Sequence, residues 1–568
     1  MKLSLILLLL LLFAAFAQGL SGQQMQSRSS NQQERRRGAI AGRVISSDGQ
    51  PIANAEISAT RLNAERWRRW VTSDEEGNFI LKDLLRGAYY LSARMPGYVS
   101  ADLPFENAVH RTGENVIISM VKGGVITGRV TDETGEPLVG VIVSQHCLRT
   151  PDGKAIESRN LMYQDLFGRT DDRGIYRIYG LPPGVYIVSI GHSIGDLGMS
   201  QATQVWRDAP TYYPSATRDT AIEIPVHEGE EVSGIDIRDR GERGRLVSGY
   251  FRGGDVLSYR TVWLRGLDGG LDTSSDVYPN SGGFAFFGVP DGEYELIAKV
   301  GEQNFWARRR ISVKGSDVSG IELKAAPGGS IAGRVLIESA DLKNVCANDG
   351  ENQASGRPGR IDQGRSFEEI TLRAVLSESG QPAPQIFFDE MLGCMPNANG
   401  EFTLKNLEPS RYRIDVDLPD DTWYIRSIKQ TGATSKKNSL NDFTLRSGDK
   451  FSGVEVVIGE GAGALSGRVI PAKGELPSPL RTCLIPAEAA NEDDMVRYAS
   501  VVTNDGAFAF KHIAPGKYLV HTRQEQEAKS GQTQDAIEKL RREAVAAKNE
   551  IEIRPCQRIK DYVLRYRP

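Results

Sequence analysis

The sequence predicts an all-β chain of five tandem sandwiches, with one helix in the last. Three observations carry this. A strand-turn-strand phrase returns five times at one spacing, a Gly-Arg-Val-like strand opens each copy, and Gly is abundant (60 residues) while long helical periods are nearly absent.

The phrase is clearest in Asp171-Asp172-Arg173-Gly174-Ile175-Tyr176, followed by Leu181-Pro182-Pro183-Gly184-Val185-Tyr186. Gly77, Phe79, Gly87 and Tyr89 repeat it. So do Gly282, Phe284, Gly292 and Tyr294; Gly400, Phe402, Ser410 and Tyr412; and Gly506, Phe508, Gly516 and Tyr518. Glycine permits a positive φ at the end of a hairpin turn, which the preceding Asp or Asn helps to form. The aromatic two residues on then points inward, and the final Tyr opens the next strand on the same core.

Before the first copy, Met1 to Ala17 reads as a secretory signal: Lys2, an apolar run from Leu3 to Phe16, and Ala15-Phe16-Ala17 as the cleavage site. The run is too short to span a membrane, and no later stretch reaches about 18 apolar residues. Residues 18–37, rich in Gln, Ser and Arg, should form a disordered leader. The repeats then fall at 38–122, 123–241, 242–326, 327–460 and 461–568.

Each repeat opens on a related strand: Gly42-Arg43-Val44, Gly128-Arg129-Val130, Gly249-Tyr250-Phe251, Gly333-Arg334-Val335 and Gly467-Arg468-Val469. Each closes on an alternating strand such as Val454-Glu455-Val456-Val457-Ile458. Junctions such as Lys122-Gly123-Gly124 are short, which predicts a semi-rigid rod. Insertions collect between the opening strand and the Gly turn, where loops carry function. The fourth, Glu338 to Glu369, is polar and Gly-rich; in the fifth repeat, Thr533 to Lys548 has Ile537, Leu540, Ala544 and Ala547 at helical spacing.

Five cysteines fit an oxidising compartment. Their placement suggests Cys346–Cys394 and Cys483–Cys556 bridges with Cys147 free; the alternative for each is a reduced, buried thiol. No C-x-x-C occurs, so zinc and redox readings are poor. A net charge of −4 gives no reason to expect nucleic acid.

The order from Asp132 through Pro137-Leu138 and Gly140 to Val143, then Asp171-x-x-Gly174-x-Tyr176 and Leu181-Pro182-Pro183-Gly184-x-Tyr186, resembles the carboxypeptidase regulatory-like domain. The resemblance covers the mature chain as five tandem copies and is sharpest in the second. It implies a seven-stranded transthyretin-like (prealbumin-like) β-sandwich of the carbohydrate-binding-like fold group, a non-catalytic appendage in its parent enzymes. Thr211-Tyr212-Tyr213-Pro214, leading to Glu230-Glu231-Val232, also looks like bacterial secreted proteins of such repeats.

Catalytic motifs are weak. Gly191-His192-Ser193-Ile194-Gly195 matches G-x-S-x-G, but Gly195-Asp196-Leu197-Gly198 follows where a helix would be required. His227-Glu228-Gly229-Glu230 offers two zinc ligands without a third. Asp132-Glu133 and Asp171-Asp172 lack a calcium loop. Some related surface domains cross-link through a first-strand Lys; Arg43, Arg129, Arg334 and Arg468 stay protonated and cannot. No cofactor or metal is expected.

The remaining candidates are aromatic. Trp67 and Trp70, Trp206 with Tyr212 and Tyr213, Trp263, Trp306, and Trp423 with Tyr424 are possible sugar-stacking platforms, set against the reading that they cap small cores. The expectation is an exported, non-catalytic monomer, periplasmic or extracellular, that binds carbohydrate; the alternative is a spacer or scaffold docking an envelope protein. A serine hydrolase using Ser193 is the remote third.

Overall fold

In the computed structural model, the described residues are 37–62, 68–100, 109–151, 153, 167–191, 207–252, 260–267, 272–277, 282–300, 305–338, 367–377, 393–419, 421–430, 441–472, 474–487, 497–503, 505–524, 534–547 and 549–566. The expected signal segment lies outside them, as does the expected leader apart from Arg37, which opens the first strand.

The first repeat shows the plan. Its strands are β1 (Arg37–Ser46), β2 (Glu56–Arg61), β3 (Arg68–Thr72), β4 (Asn78–Leu85), β5 (Ala88–Arg94), β6 (Tyr98–Ser100), β7 (Val109–Arg111) and β8 (Asn115–Lys122). One sheet runs β4-β1-β8-β6 and the other β3-β2-β5-β7. Strict alternation sends Ile57, Ala59, Tyr89 and Leu91 of the second sheet against Ile40, Val44, Phe79 and Met120 of the first. That buried layer holds the sandwich together.

The same plan recurs. Gly124–Thr131, Arg245–Arg252, Gly329–Ile337 and Gly463–Pro471 each pair antiparallel with the strand after the Gly turn and parallel with a closing strand. Each repeat has its own core drawn from both sheets. The chain is therefore a tandem series of β-sandwiches. Among the described residues the fourth and fifth repeats carry the expected seven strands, and the first three carry eight, nine and eight, where short edge pieces such as β6 and Ile237–Arg238 join the sheets.

The repeated phrase has a repeated geometry. Gly77, Gly174, Gly282, Gly400 and Gly506 all have φ between 67° and 83°. Each returns its carbonyl to the opening strand, as in Val44 N–H to Gly77 O (2.8 Å) and Val335 N–H to Gly400 O (2.7 Å). The turn Asp or Asn accepts from the backbone beyond it: Asp171 Oδ1 from Ile175 N–H at 2.8 Å, Asn397 Oδ1 from Glu401 N–H at 3.0 Å.

The Gly-Arg-Val phrase fixes the other side. A Cβ on Gly42, Gly128, Gly249, Gly333 or Gly467 would lie within 2.2 Å of a carbonyl oxygen on the closing segment, a strand residue in all but Gly128, where it is Ile235 between two short strands. Only glycine lets the two parallel strands approach this closely. The neighbouring Arg spans the turn: Arg43, Arg129 and Arg334 each donate Nε–H to the carbonyl just before the turn glycine (2.7, 3.1 and 3.0 Å).

In the fifth repeat the expected helix is α1 (Gln534–Ala547), where Leu540 and Ala544 pack on Cys483, Ile485 and Leu519. Neither expected disulfide forms, since Cys394 and Cys483 are free. Cys483 lies beneath α1 and accepts from the Tyr498 hydroxyl (3.1 Å). Cys394 is committed to the fourth core, bridging Leu372 by two 2.8 Å backbone bonds. Cys147 is free, and Cys346 lies outside the described residues.

The rod expectation also fails. Repeats join their neighbours, as in Trp306 Nε1–H to Asn406 O (3.0 Å) and His512 Nδ1 to Trp423 O (2.9 Å). The first repeat, however, also meets the fourth, which is not its neighbour in sequence. Arg86, Arg111 and Ala88 contact Glu369, Asp417 and Met395. Short linkers did not impose a straight course.

Candidate functional site: the outer face of the first repeat

The outer face of β3-β2-β5-β7 follows from register. Val71, Ile57 and Ala93 turn inward, so their neighbours Trp70, Ser58 and Ser92 form a row outward. The Ser58 and Ser92 hydroxyls are hydrogen-bonded at 2.8 Å. On one side of this row stand Thr72, Glu56 and Arg94; on the other, Arg68, Thr60, Tyr90 and Val109. Trp70 is 61% exposed. A flat indole thus lies beside paired hydroxyls, with charges of both signs at the margin. It offers a stacking surface next to hydrogen-bonding groups.

The other aromatic candidates are distributed differently. Trp306 and Trp423 are buried, Trp306 by its bond to Asn406 and Trp423 within the fourth core. Tyr212 is buried, and Tyr213 packs against the second core. Tyr424 is half-buried and occupies the space that a side chain on Gly459 would need. Trp263 is half-buried on an outer row with Ser274, Ile297 and Arg308. Trp67 and Trp206 lie outside the described residues. Tyr90, absent from the sequence reading, joins Trp70 on one face; its place is legible only once the β2–β5 register is known.

The other motifs resolve into turns. The Glu230 carboxylate accepts from the His227 backbone N–H (2.8 Å), which closes the turn on itself. The Asp132 carboxylate accepts from the Thr134 hydroxyl (2.7 Å) and the Glu136 N–H (2.9 Å). The Thr134 hydroxyl, then the Glu136 N–H, lower its pKa below the usual carboxylate range despite slight desolvation. Among the described residues no cluster of His, Cys, Asp and Glu could hold a metal ion. Ser193 lies outside the described residues. Among the described residues, no helix is long and apolar enough to cross a membrane.

Comparison with known families bears on the same repeat. Residues 39–120 match the carboxypeptidase regulatory-like domain. The matched segment runs from β1 to β8 and so includes the Trp70 face. No curated protein matches the chain. Among solved structures, the TIE protein of Bacillus anthracis is similar at 15% identity, with 51% of each chain covered and a TM-score of 0.14, so the chain spans about half of its length. The minor pilin of Streptococcus agalactiae is similar at 14% identity over 35% of this chain and 94% of the pilin (TM-score 0.19). The shaft pilin of Lactobacillus rhamnosus GG, as a point mutant, is similar at 12% identity over 36% and 100% (TM-score 0.16).

Proposed function

We propose that the chain is an exported, non-catalytic binding protein of the cell envelope or its exterior, and that the Trp70 face of the first repeat holds carbohydrate. The observation that carries this is a Trp 61% exposed in a row with two hydroxyls, with Glu56, Arg68 and Arg94 around it. An indole left in water on the edge strand of a folded sheet contributes little to its own core. Stacked under a sugar ring it would shed that water, while Ser58, Ser92 and the charged rim offer hydrogen bonds to hydroxyls.

A glycan array followed by calorimetry tests this. Wild-type chain should bind at least one oligosaccharide class, and Trp70→Ala should weaken that binding at least tenfold. No binding across the array, or binding untouched by Trp70→Ala, would overturn the reading. A protein-docking scaffold is the second reading, favoured by the exposed Ile80 and Ile117 on the other sheet. Pull-down from an envelope extract, lost in Ile117→Asp and kept in Trp70→Ala, would support it instead.

A further inference from the structure

Part of the Trp70 face is covered, and the cover comes from the fourth repeat. Alternation points Ala88 and Tyr90 away from their own core, yet Ala88 is fully buried and Tyr90 partly so. Ala88 donates its N–H to Met395 Sδ (3.0 Å), and Leu62, Tyr90 and Val109 pack with Met395 in a small apolar cluster. The rows of Ala88 and Trp70 are offset by about 10–15 Å along the strands.

Around this small cluster the contact is ionic. The Glu369 side chain is 3% exposed, and Arg86 meets both of its oxygens, Nε to Oε1 at 3.1 Å and Nη2 to Oε2 at 3.3 Å. Arg111 donates Nε–H to the Glu369 carbonyl (2.7 Å) and Nη2–H to Asp417 Oδ2 (2.6 Å). Arg61 reaches Glu368 at 3.5 Å. Gly87 (φ 147°) lies against the Glu368 carbonyl, where a Cβ would come within 3.3 Å. Polar, modest contacts between repeats are the kind that open and close. Losing Arg86 would strip the buried Glu369 carboxylate of a cation that meets both of its oxygens, so the contact should release as a unit.

We propose that the fourth repeat is a releasable lid on the outer face of the first, fastened by Arg86 and Glu369. Opening uncovers Ala88, Tyr90, Val109 and Arg111, continuous with the Trp70 row. The fastening stands independently, whereas the consequence for a ligand rests on the carbohydrate reading above.

Small-angle scattering and hydrogen exchange on the full chain test the fastening. Arg86→Glu and Glu369→Arg should each enlarge the radius of gyration and raise amide exchange at Ala88 at least tenfold. The double exchange, Arg86→Glu with Glu369→Arg, should return both towards wild type. Where a reversal unfolds its own repeat, seen by circular dichroism, Arg111→Ala supplies an independent release, since it removes the Arg111 bonds to Glu369 and Asp417 of the fourth repeat. Unchanged dimensions and exchange in folded variants, or a wild-type profile that fits only a detached first repeat, would overturn the lid. Opened variants should also bind a glycan array more strongly than wild type. A chain that opens without any glycan signal would overturn the carbohydrate reading and leave the lid standing.

Discussion

The Tyr186 hydroxyl donates to the carbonyl of Pro182, four residues earlier, at 2.5 Å. The same bond joins Tyr89 to Leu85, Tyr294 to Pro290, Tyr412 to Glu408 and Tyr518 to Ala514, at 2.5 to 3.0 Å. It explains why the last aromatic of the phrase is always Tyr. Phe would fill the core equally well but leave a carbonyl at the turn without its donor. Tyr186→Phe should therefore cost about 1–2 kcal/mol. Chemical denaturation of the second repeat, followed by exchange at Ile175–Leu181, measures it; a neutral Phe variant would mean that water satisfies Pro182.

Burial gives these tyrosines a pH signature. Desolvation pushes the Tyr89 hydroxyl up to about 12, against the opposing Arg61 charge. Desolvation also raises Tyr176 and Tyr412. A group whose folded pKa exceeds its unfolded value of about 10 contributes stability that is intact below pH 10. That stability is lost as pH rises through the folded value. For Tyr89 the window is about pH 10 to 12, worth on the order of 2 kcal/mol. Denaturation midpoints at pH 8, 10 and 11.5 should be level and then fall, and Tyr89→Phe should flatten the fall in the first repeat.

The Gly-Arg-Val glycines and Gly135, in the open turn after Asp132, should separate in their cost. Gly128→Ala would place Cβ 1.9 Å from the Ile235 carbonyl, in the link between Glu231–Val232 and Ile237–Arg238, which both pair with Gly124–Thr131 and cannot part from it without breaking the sheet. It should cost about 3 kcal/mol or more. Gly135 has φ 93° but open space around its Cβ position. Gly135→Ala should cost only the left-handed penalty of about 1–2 kcal/mol. Thermal melts of the two variants decide this; equal losses would mean that the parallel strand pair yields.

What the sequence made legible follows the range of the interactions. The turn, the inward aromatic and the second Tyr are set by residues within about a dozen positions, so a fixed spacing exposes them. Arg43 was visible as a repeated residue, but its bond to the Glu76 carbonyl spans 33 positions and appears only once β1 and β4 pair. The Arg86–Glu369 pair, 283 positions apart, has no local signature at all. Glu369 was noted only as the end of a polar insertion, and nothing in its neighbours marks it as the residue that closes on the first repeat. The cysteine pairings failed for the same reason: proximity within a repeat does not say that Cys483 faces α1.

Trp70 and Trp306 looked alike as candidates, and their substitution should now give opposite results. Trp306 is 4% exposed, packed at the junction between the third and fourth repeats, with its Nε1–H on the Asn406 carbonyl. Trp306→Ala removes a large buried ring and should cost about 3–5 kcal/mol. Trp70 stands 61% exposed on edge strand β3, so Trp70→Ala should shift stability by no more than about 0.5 kcal/mol. Denaturant titration of both variants beside wild type distinguishes them. A Trp70→Ala chain that melts normally yet loses ligand has lost a surface group that folding never required. One that melts early places Trp70 among the structural aromatics, and the platform must then be sought at Trp263.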